Sequence, residues 1–226
     1  MDPRYAQAPR WVRFWWSAAV LAALGYGVFL IVTTGQFGLQ PAVKAVMALL
    51  LATAALAHPV VRERRWLVGA TVFSAAGDYF LALPQWKPAF VCGLGSFLIA
   101  HLCFIGALFG LRGRVGTARR LTIALVAVGF VAMLAWFWPA LRAEGMTVPV
   151  IIYMTVLAVM VSTALLAQLP TLWTALGALL FAVSDGMIGI GRFVLRSQAL
   201  EVPIWWVYAA SMVLITAGFF FGRRFD

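Results

Sequence analysis

The chain has 226 residues, of which 64% are hydrophobic and only 11% are charged. Soluble domains carry about 25% charged residues, so this composition excludes an ordinary soluble protein and predicts one membrane domain over residues 1–226. The net charge of +10 does not indicate a nucleic-acid partner, because arginines in short loops are typical of membrane proteins.

Eight apolar runs along the chain have the length that crosses a membrane, roughly 18–22 residues. Prolines punctuate the breaks between these runs, including Pro59, Pro139 and Pro170. The sequence therefore predicts an all-α, polytopic integral membrane protein with eight transmembrane helices. In chain order, the predicted helices are Phe14–Val32, Leu39–Ala57, Trp66–Leu83, Ala89–Leu111, Arg120–Trp138, Val148–Ala167, Thr171–Gly191 and Pro203–Gly222.

The basic residues of the loops divide unequally between the two sides of these helices. Four lie on one side: Lys87, Arg142, Arg192 and Arg196. Twelve lie on the other: Arg4, Arg10, Arg13, Arg62, Arg64, Arg65, Arg112, Arg114, Arg119, Arg120, Arg223 and Arg224. Because positively charged loops stay in the cytoplasm, we expect cytoplasmic N and C termini in a multi-pass protein of the cell (inner) membrane, surrounded by membrane lipids.

The two halves of the chain resemble each other. Each half has four predicted helices, and the third helix of each half contains an aspartate, Asp78 or Asp185. The strings Val72–Asp78 and Leu179–Asp185 are also similar. This pattern predicts a 4+4 parallel repeat, with its axis along the membrane normal.

Both aspartates lie inside apolar runs, where a carboxylate costs roughly 2.5–3.5 kcal/mol even on a lenient insertion scale. A chain that carries this cost twice is expected to use both acids. From the predicted orientation and the rise of a helix, several polar residues share the depth of the two acids in the outer half of the membrane, with His101 below them. These residues are Lys44, Asp78, Tyr153, Asp185, Arg192 and Tyr208, and Ser184 adjoins Asp185.

Polar groups in a membrane face the bundle interior and partner one another, so this layer predicts a polar pocket. Arg192 follows Asp185 by two helical turns, and its guanidinium is expected to approach the carboxylate. Structural explanations remain open: a Lys–Asp or Arg–Asp pair for the acids, a histidine bonded between helices for His101, and hydroxyls that bridge helices. His101 with both aspartates could hold a metal, but the chain has only two histidines, and we expect no metal and no other cofactor.

Several motifs identify a family. They are Lys44, Gly77-Asp78, the spaced residues Phe90, Gly93, Phe97 and His101, then Pro149 with Tyr153, and the run Gly177–Asp185 followed by Arg192-Phe193. On these residues the chain resembles the YhhN family of membrane proteins, whose animal members are lysoplasmalogenases of the TMEM86 type. The Tyr208 region departs from the family string Tyr-Tyr-x-Ala-Gln, because this chain has Val207-Tyr208-Ala209-Ala210-Ser211. The resemblance implies an eight-helix fold and cleavage of the vinyl-ether bond of lysoplasmalogens to a fatty aldehyde and a glycerophospho-base.

Vinyl-ether hydrolysis requires an acid that protonates the alkene and a base that stabilises the resulting cation. Two buried carboxylates can divide these roles, because burial and like-charge repulsion disfavour two charges at once. We therefore expect Asp78 and Asp185 to be catalytic, in either order, with His101 positioning water or an acid. Lys44 and Arg192 would bind the phosphate of a lysophospholipid substrate. The substrate would also be contacted by Tyr153, Tyr208 and Ser184. The alternative functions are a transporter with a buried Asp-Lys-Tyr site and a lipid-sensing membrane protein without turnover.

Overall fold

The computed structural model describes residues 8–33, 38–83 and 85–221, and this part of the chain contains helices and no strand. The predicted end of the last helix, Gly222, lies outside the described residues, as do Arg4, Arg223 and Arg224. The helices are α1 (Arg10–Val32), α2 (Gln40–Ala55), α3 (Val61–Leu81), α4 (Ala89–Phe109), α5 (Thr117–Ala143), α6 (Thr147–Leu166), α7 (Trp173–Gly189) and α8 (Glu201–Phe220).

Six of these helices are long and apolar enough to cross a membrane: α1, α4, α5, α6, α7 with the turn after it, and α8. The remaining two fall short for different reasons. α2 is apolar but has only 16 residues. α3 begins with a charged turn that contains Arg62, Glu63, Arg64 and Arg65. The prediction of an all-α, multi-pass membrane protein is thus confirmed, and the described residues form eight α-helices.

Three predicted boundaries were wrong, one of them the start of α1, which begins at Arg10 rather than Phe14. α3 begins at Val61 rather than Trp66, because its charged first turn continues the helix beyond the apolar run, with Glu63 favourably placed near the positive end of the helix dipole. α5 continues through Pro139 to Ala143. A proline removes one backbone hydrogen bond from a helix, and membrane helices tolerate this loss.

The end of α7 also differs from the prediction, since the helix changes its winding there. After Gly189 the chain continues as a π-helical turn over Ile190–Leu195, and it leaves this turn at Arg196, whose φ is 51°. Hydrogen bonds in a π-helix span one more residue than in an α-helix. The angular position of Arg192 relative to Asp185 is therefore not the one that an unbroken α-helix would give.

Seven helices form a closed ring of neighbours, and α5 lies outside it. The order around the ring is α1, α2, α3, α4, α6, α7 and α8, after which α8 contacts α1 again. α5 packs against α6 and the π-helical turn, and its buried residues are Phe137 and Leu141, near its C-terminal end. Seven helices thus surround a shared core, while α5, which is as hydrophobic as any of the candidate spans, is mostly exposed on the lipid side.

α7 and α8 approach each other closely at Gly177. A methyl group at this position would lie 2.7 Å from the backbone of Ser211 and of Ile215. Thr174, one turn before Gly177, donates a hydrogen bond to the Ile215 carbonyl at 3.2 Å. Small residues allow such close packing of membrane helices, and the contact fixes α7, which carries Asp185, against α8, which carries Tyr208.

Candidate active site

Three side chains from α4, α6 and α7 form one buried polar cluster around Asp185. The Tyr153 hydroxyl donates a short hydrogen bond of 2.5 Å to Oδ2 of Asp185. Nε2 of His101 lies 3.1 Å from the same hydroxyl and 3.5 Å from Oδ2. Both contacts involve Oδ2, and Oδ1 of Asp185 makes no hydrogen bond to the described residues. We call His101, Tyr153 and Asp185 the Asp185 cluster.

Asp78 has a separate set of partners. Its Oδ2 accepts a hydrogen bond of 2.8 Å from the Tyr208 hydroxyl on α8, and Asp78 is only 2% exposed. Ser74, one turn earlier on α3, lies beside the same hydroxyl. Lys44 on α2 is the cation that interacts electrostatically with Asp78. A buried carboxylate with a hydrogen bond and a nearby cation is far less costly than an isolated one.

Aromatic rings separate the two acids. The Phe181 ring contacts His101 at 4.7 Å and Tyr208 at 5.5 Å between ring centroids. The Phe97 ring contacts Phe181 at 5.9 Å and Tyr208 at 5.7 Å. Phe97 also occupies the space left open by Gly77, next to Asp78, where a Cβ would lie 2.5 Å from the ring. The acids are therefore close neighbours in the core, each with its own tyrosine, and no hydrogen bond between them occurs in the described residues.

Asp185 lies at the wall of a cavity. A narrow space of about 60 Å³, which we call the inner chamber, lies among α4, α5, α6 and α7. Of the described residues that line it, Asp185 and Tyr153 have polar side chains, and the others are apolar, including Phe97, Met133 and Phe137. Asp78 does not line this chamber. A carboxyl group at the wall of an apolar chamber is well placed to react with a lipid.

A larger and more polar space adjoins the chamber. It has a volume of about 700 Å³, and we call it the outer vestibule. Leu81, Phe90 and Ile188 line both spaces, so they mark the boundary between them. The vestibule has five charged side chains. They come from α2, the π-helical turn, α8 and the residues directly after α5 and after the π-helical turn: Lys44, Arg192, Glu201, Glu144 and Arg196. Mixed charges at the mouth of an apolar chamber suit an amphipathic ligand.

Arg192 does not approach Asp185, contrary to expectation. Its guanidinium forms an ion pair with Glu144 at 2.7 Å and lies over the Phe90 ring at 5.3 Å. Glu144 follows α5 directly, so the pair fixes the π-helical turn to the end of α5. The π-helical winding explains why a spacing of two α-helical turns was misleading here.

Ser184 forms a hydrogen bond within the protein, between two helices. It is fully buried, and its hydroxyl donates a hydrogen bond of 3.4 Å to the Ile204 carbonyl on α8. The sequence analysis left this helix-bridging role open, and the structure favours it. By contrast, Lys44 lines the vestibule, and its binding of a phosphate stays a prediction.

Three charged side chains of the vestibule were not predicted as site residues from the sequence. They are Arg196, predicted only as a loop charge, and Glu144 and Glu201. Glu201 accepts a hydrogen bond of 3.2 Å from Gln40, which also contacts the Tyr26 hydroxyl at 3.1 Å. A useful signal was present in the sequence, because Glu144 and Glu201 are the acids nearest to the predicted outer ends of the helices.

No metal site is evident in the part of the chain that the structure describes, where no three His, Cys, Asp or Glu side chains come together. His101 is close to Asp185 but belongs to a different cluster from Asp78.

An all-α membrane protein with two buried aspartates and an apolar chamber is the class of protein that this fold and site define. The chain belongs to the YhhN family, which matches residues 39–219. A lysoplasmalogenase of Mycobacterium bovis is 56% identical over 96% of this chain and 88% of its own length. Lysoplasmalogenase TMEM86B of Mus musculus is 34% identical over 66% of this chain and 62% of its own length, and the Homo sapiens protein of that name is 31% identical. No solved structure matches the chain. The resemblance inferred from the motifs is confirmed.

Proposed function

We propose that this protein is a membrane lysoplasmalogenase, which hydrolyses the vinyl-ether bond of a lysolipid to a fatty aldehyde and a glycerophospho-base. One observation carries the proposal: Asp185, held by Tyr153 and His101, is the acid at the wall of an apolar chamber that opens towards a charged vestibule. The lysoplasmalogenase relatives, one of them matched over nearly the whole chain, support the same reaction.

The chemistry proceeds in three steps that balance in atoms and charge. An acid transfers a proton to the alkene carbon that is not bonded to oxygen, and the ether carbon becomes an oxocarbenium ion. Water then adds to this carbon and loses a proton to the conjugate base. The resulting hemiacetal collapses, the glycerol oxygen leaves with a proton, and the aldehyde is released. Overall one water is consumed.

Asp185 is the catalytic acid and base in this scheme. Tyr153 and His101 both contact Oδ2, which leaves Oδ1 to transfer the proton. The same group, once ionised, stabilises the adjacent cation and accepts the proton of the attacking water. His101 acts as a positioning residue through the Tyr153 hydroxyl.

Asp78 is a positioning residue that acts from the core through its contacts. It lines neither the chamber nor the vestibule, and it is held by Tyr208 and faces the charge of Lys44. Through the hydrogen bond from Tyr208 it fixes α3 against α8. This assignment separates the roles of the two acids, which the sequence analysis left interchangeable.

The lysolipid headgroup occupies the vestibule in this proposal. Neither Lys44 nor Arg196 forms an ion pair within 4.0 Å of a carboxylate among the described residues, although Lys44 also faces the charge of Asp78. Both cations are therefore available for a phosphate. Arg192 contributes less, because Glu144 already balances its charge. Tyr208 and Ser184, once expected to contact the substrate, support the core instead.

We also propose that both termini are cytoplasmic, that the cell membrane is the site of action, and that the halves form a parallel repeat. The excess of arginine in the loops on the side of the termini supports the orientation.

The spacing of the polar residues supports the repeat, because Asp78 and Asp185 are separated by the same number of residues as His101 and Tyr208. In such a repeat each acid is accompanied by the polar residue of the fourth helix of the other half, His101 for Asp185 and Tyr208 for Asp78.

The proposal is tested with purified protein in detergent and two lysolipids that share a headgroup, one with an alkenyl chain and one with an ester chain. Release of aldehyde from the alkenyl substrate alone supports the lysoplasmalogenase, and the Asp185→Asn variant is the matched control. Release of fatty acid from the ester substrate would indicate a different hydrolase. Lysolipid uptake into vesicles without either product would favour a transporter.

A further inference from the structure

The inner chamber has an apolar neighbour on the outer surface of the bundle. A groove of about 240 Å³ runs along the contact between α5 and α6. We call it the α5–α6 groove, and its lining includes Ala127, Phe130, Leu134, Met154 and Ala158. Phe130 and Met154 line both the chamber and the groove. These two side chains therefore form the wall between the two spaces.

The chamber is too small for the hydrocarbon chain of a lysolipid. An apolar cavity of about 150 Å³ holds a single benzene molecule, and the chamber measures only about 60 Å³. It can hold the reacting double bond and the first carbons of a chain, whereas the rest must lie elsewhere. The vestibule is a poor place for that remainder, because it is lined by five charged side chains. The groove is the apolar space that continues from the chamber.

The depth of the groove suits the end of a lipid chain. Phe130 is the middle residue of α5, and Ala158 lies close to the middle of α6. A chain that enters from the vestibule at the helix ends and continues along this groove would reach the centre of the bilayer, where the chain ends of membrane lipids lie.

The position of α5 allows the wall to open. α5 lies outside the ring of seven helices, and its buried residues Phe137 and Leu141 are both near its C-terminal end. Phe130 and Met154 are only half-buried, and methionine is a flexible side chain. Rotation of these two side chains would join the chamber to the groove without disturbing the core.

We propose that the substrate's hydrocarbon chain passes between Phe130 and Met154 into the α5–α6 groove, so that this groove binds the chain and determines which chain lengths are accepted. The inference rests on the lysoplasmalogenase function proposed above, and it adds a chain-binding site outside the ring of helices. The groove also gives the substrate a route from the surrounding lipid into the chamber.

The test compares two alkenyl lysolipids with the same headgroup, one hexadecenyl and one butenyl. Ala127→Phe fills the groove from α5, and Ala158→Leu fills it from α6. Both variants should lower kcat/KM for the hexadecenyl substrate by about tenfold or more, because methylenes lose their apolar contacts. The butenyl substrate should change by less than about twofold, because its short chain stays within the inner chamber, and its turnover shows that the variants are folded. Ala132→Phe is the matched control, since Ala132 is exposed on α5 outside the groove.

The outcomes separate the two proposals. If the unaltered protein releases no aldehyde from either lysolipid, the proposed function is overturned and the chain-binding site with it. If the protein hydrolyses both substrates but the groove variants affect both chain lengths equally, or neither, the function stands and the groove is not the chain site. A loss for the hexadecenyl substrate in Ala132→Phe as well would also overturn the groove assignment.

Discussion

Asp185 is the residue on which the proposed chemistry depends, because it is the carboxyl group that faces the inner chamber. Replacing it by asparagine preserves the size of the side chain and a hydrogen bond from Tyr153, but it removes the proton that is transferred. We expect Asp185→Asn to lower kcat by about 10²–10⁴-fold and to leave the detergent-solubilised protein folded. Aldehyde release and size-exclusion chromatography measure the two quantities. An Asp185→Asn variant with normal turnover would remove Asp185 from the mechanism.

Tyr208 is expected to stabilise the fold, because its hydroxyl donates a hydrogen bond to the buried carboxyl group of Asp78. Removing the partner of a buried polar group costs about 1–3 kcal/mol. Tyr208→Phe should therefore lower the thermal unfolding midpoint in detergent. Tyr79→Phe is the matched control on α3, because the Tyr79 side chain is 43% exposed and its replacement should leave the midpoint unchanged. Equal midpoints for both variants would contradict the structural role assigned to Tyr208.

At the scale of the element, the π-helical turn after α7 decides what Arg192 can do. The turn directs the guanidinium to Glu144 at the end of α5 rather than to Asp185. Such a partly exposed pair contributes little to stability, but it neutralises one of the three cations of the vestibule. The turn thereby reduces the part that Arg192 can take in binding a phosphate, and it leaves that task to Lys44 and Arg196.

Because Arg192 is paired with Glu144 and Lys44 has no such ion pair, replacing each cation should change the KM by a different amount. Lys44→Gln removes a cation that has no ion pair, so it should raise the KM for the lysolipid more than Arg192→Gln does, and kcat of Arg192→Gln should change little. Steady-state kinetics of the two variants, with Arg142→Gln as an exposed control outside the vestibule, measure the effect. A larger rise in KM for Arg192→Gln than for Lys44→Gln would show instead that Arg192, in the π-helical turn, binds the phosphate.

At the scale of the whole molecule, the proposed orientation assigns each loop to one side of the membrane. With both native cysteines replaced by alanine, we expect an impermeant maleimide to label Gln85→Cys in intact cells, because this loop residue lies on the outer side. Arg114→Cys, in the loop between α4 and α5, should react only after the membrane is opened. Both positions are exposed in the structure. The opposite labelling pattern would reverse the orientation and move the vestibule to the cytoplasmic side.

The membrane class and the choice of candidate residues could be predicted from the sequence, because both depend on local composition. Long apolar runs can only be satisfied as helices in lipid, and an aspartate inside such a run is conspicuous. Most helices lie close to their predicted positions, while the start of α3 and the end of α5 were misjudged where a charged turn or a proline continued the helix. The grouping of Asp185 with Tyr153 follows from their similar depths, and His101 was predicted just below them.

The partners of each residue were decided by the tertiary structure. Depth along a helix can be counted from the sequence, but the direction around the helix and the order of helices in the ring depend on packing. That packing pairs Asp78 with Tyr208 away from the chamber, gives Arg192 to Glu144, and leaves α5 outside the ring. The sequence by itself therefore determined that two acids are buried in a membrane, and only the tertiary structure decided that Asp185 alone faces the apolar chamber, because a cavity is formed by side chains that are distant in the chain.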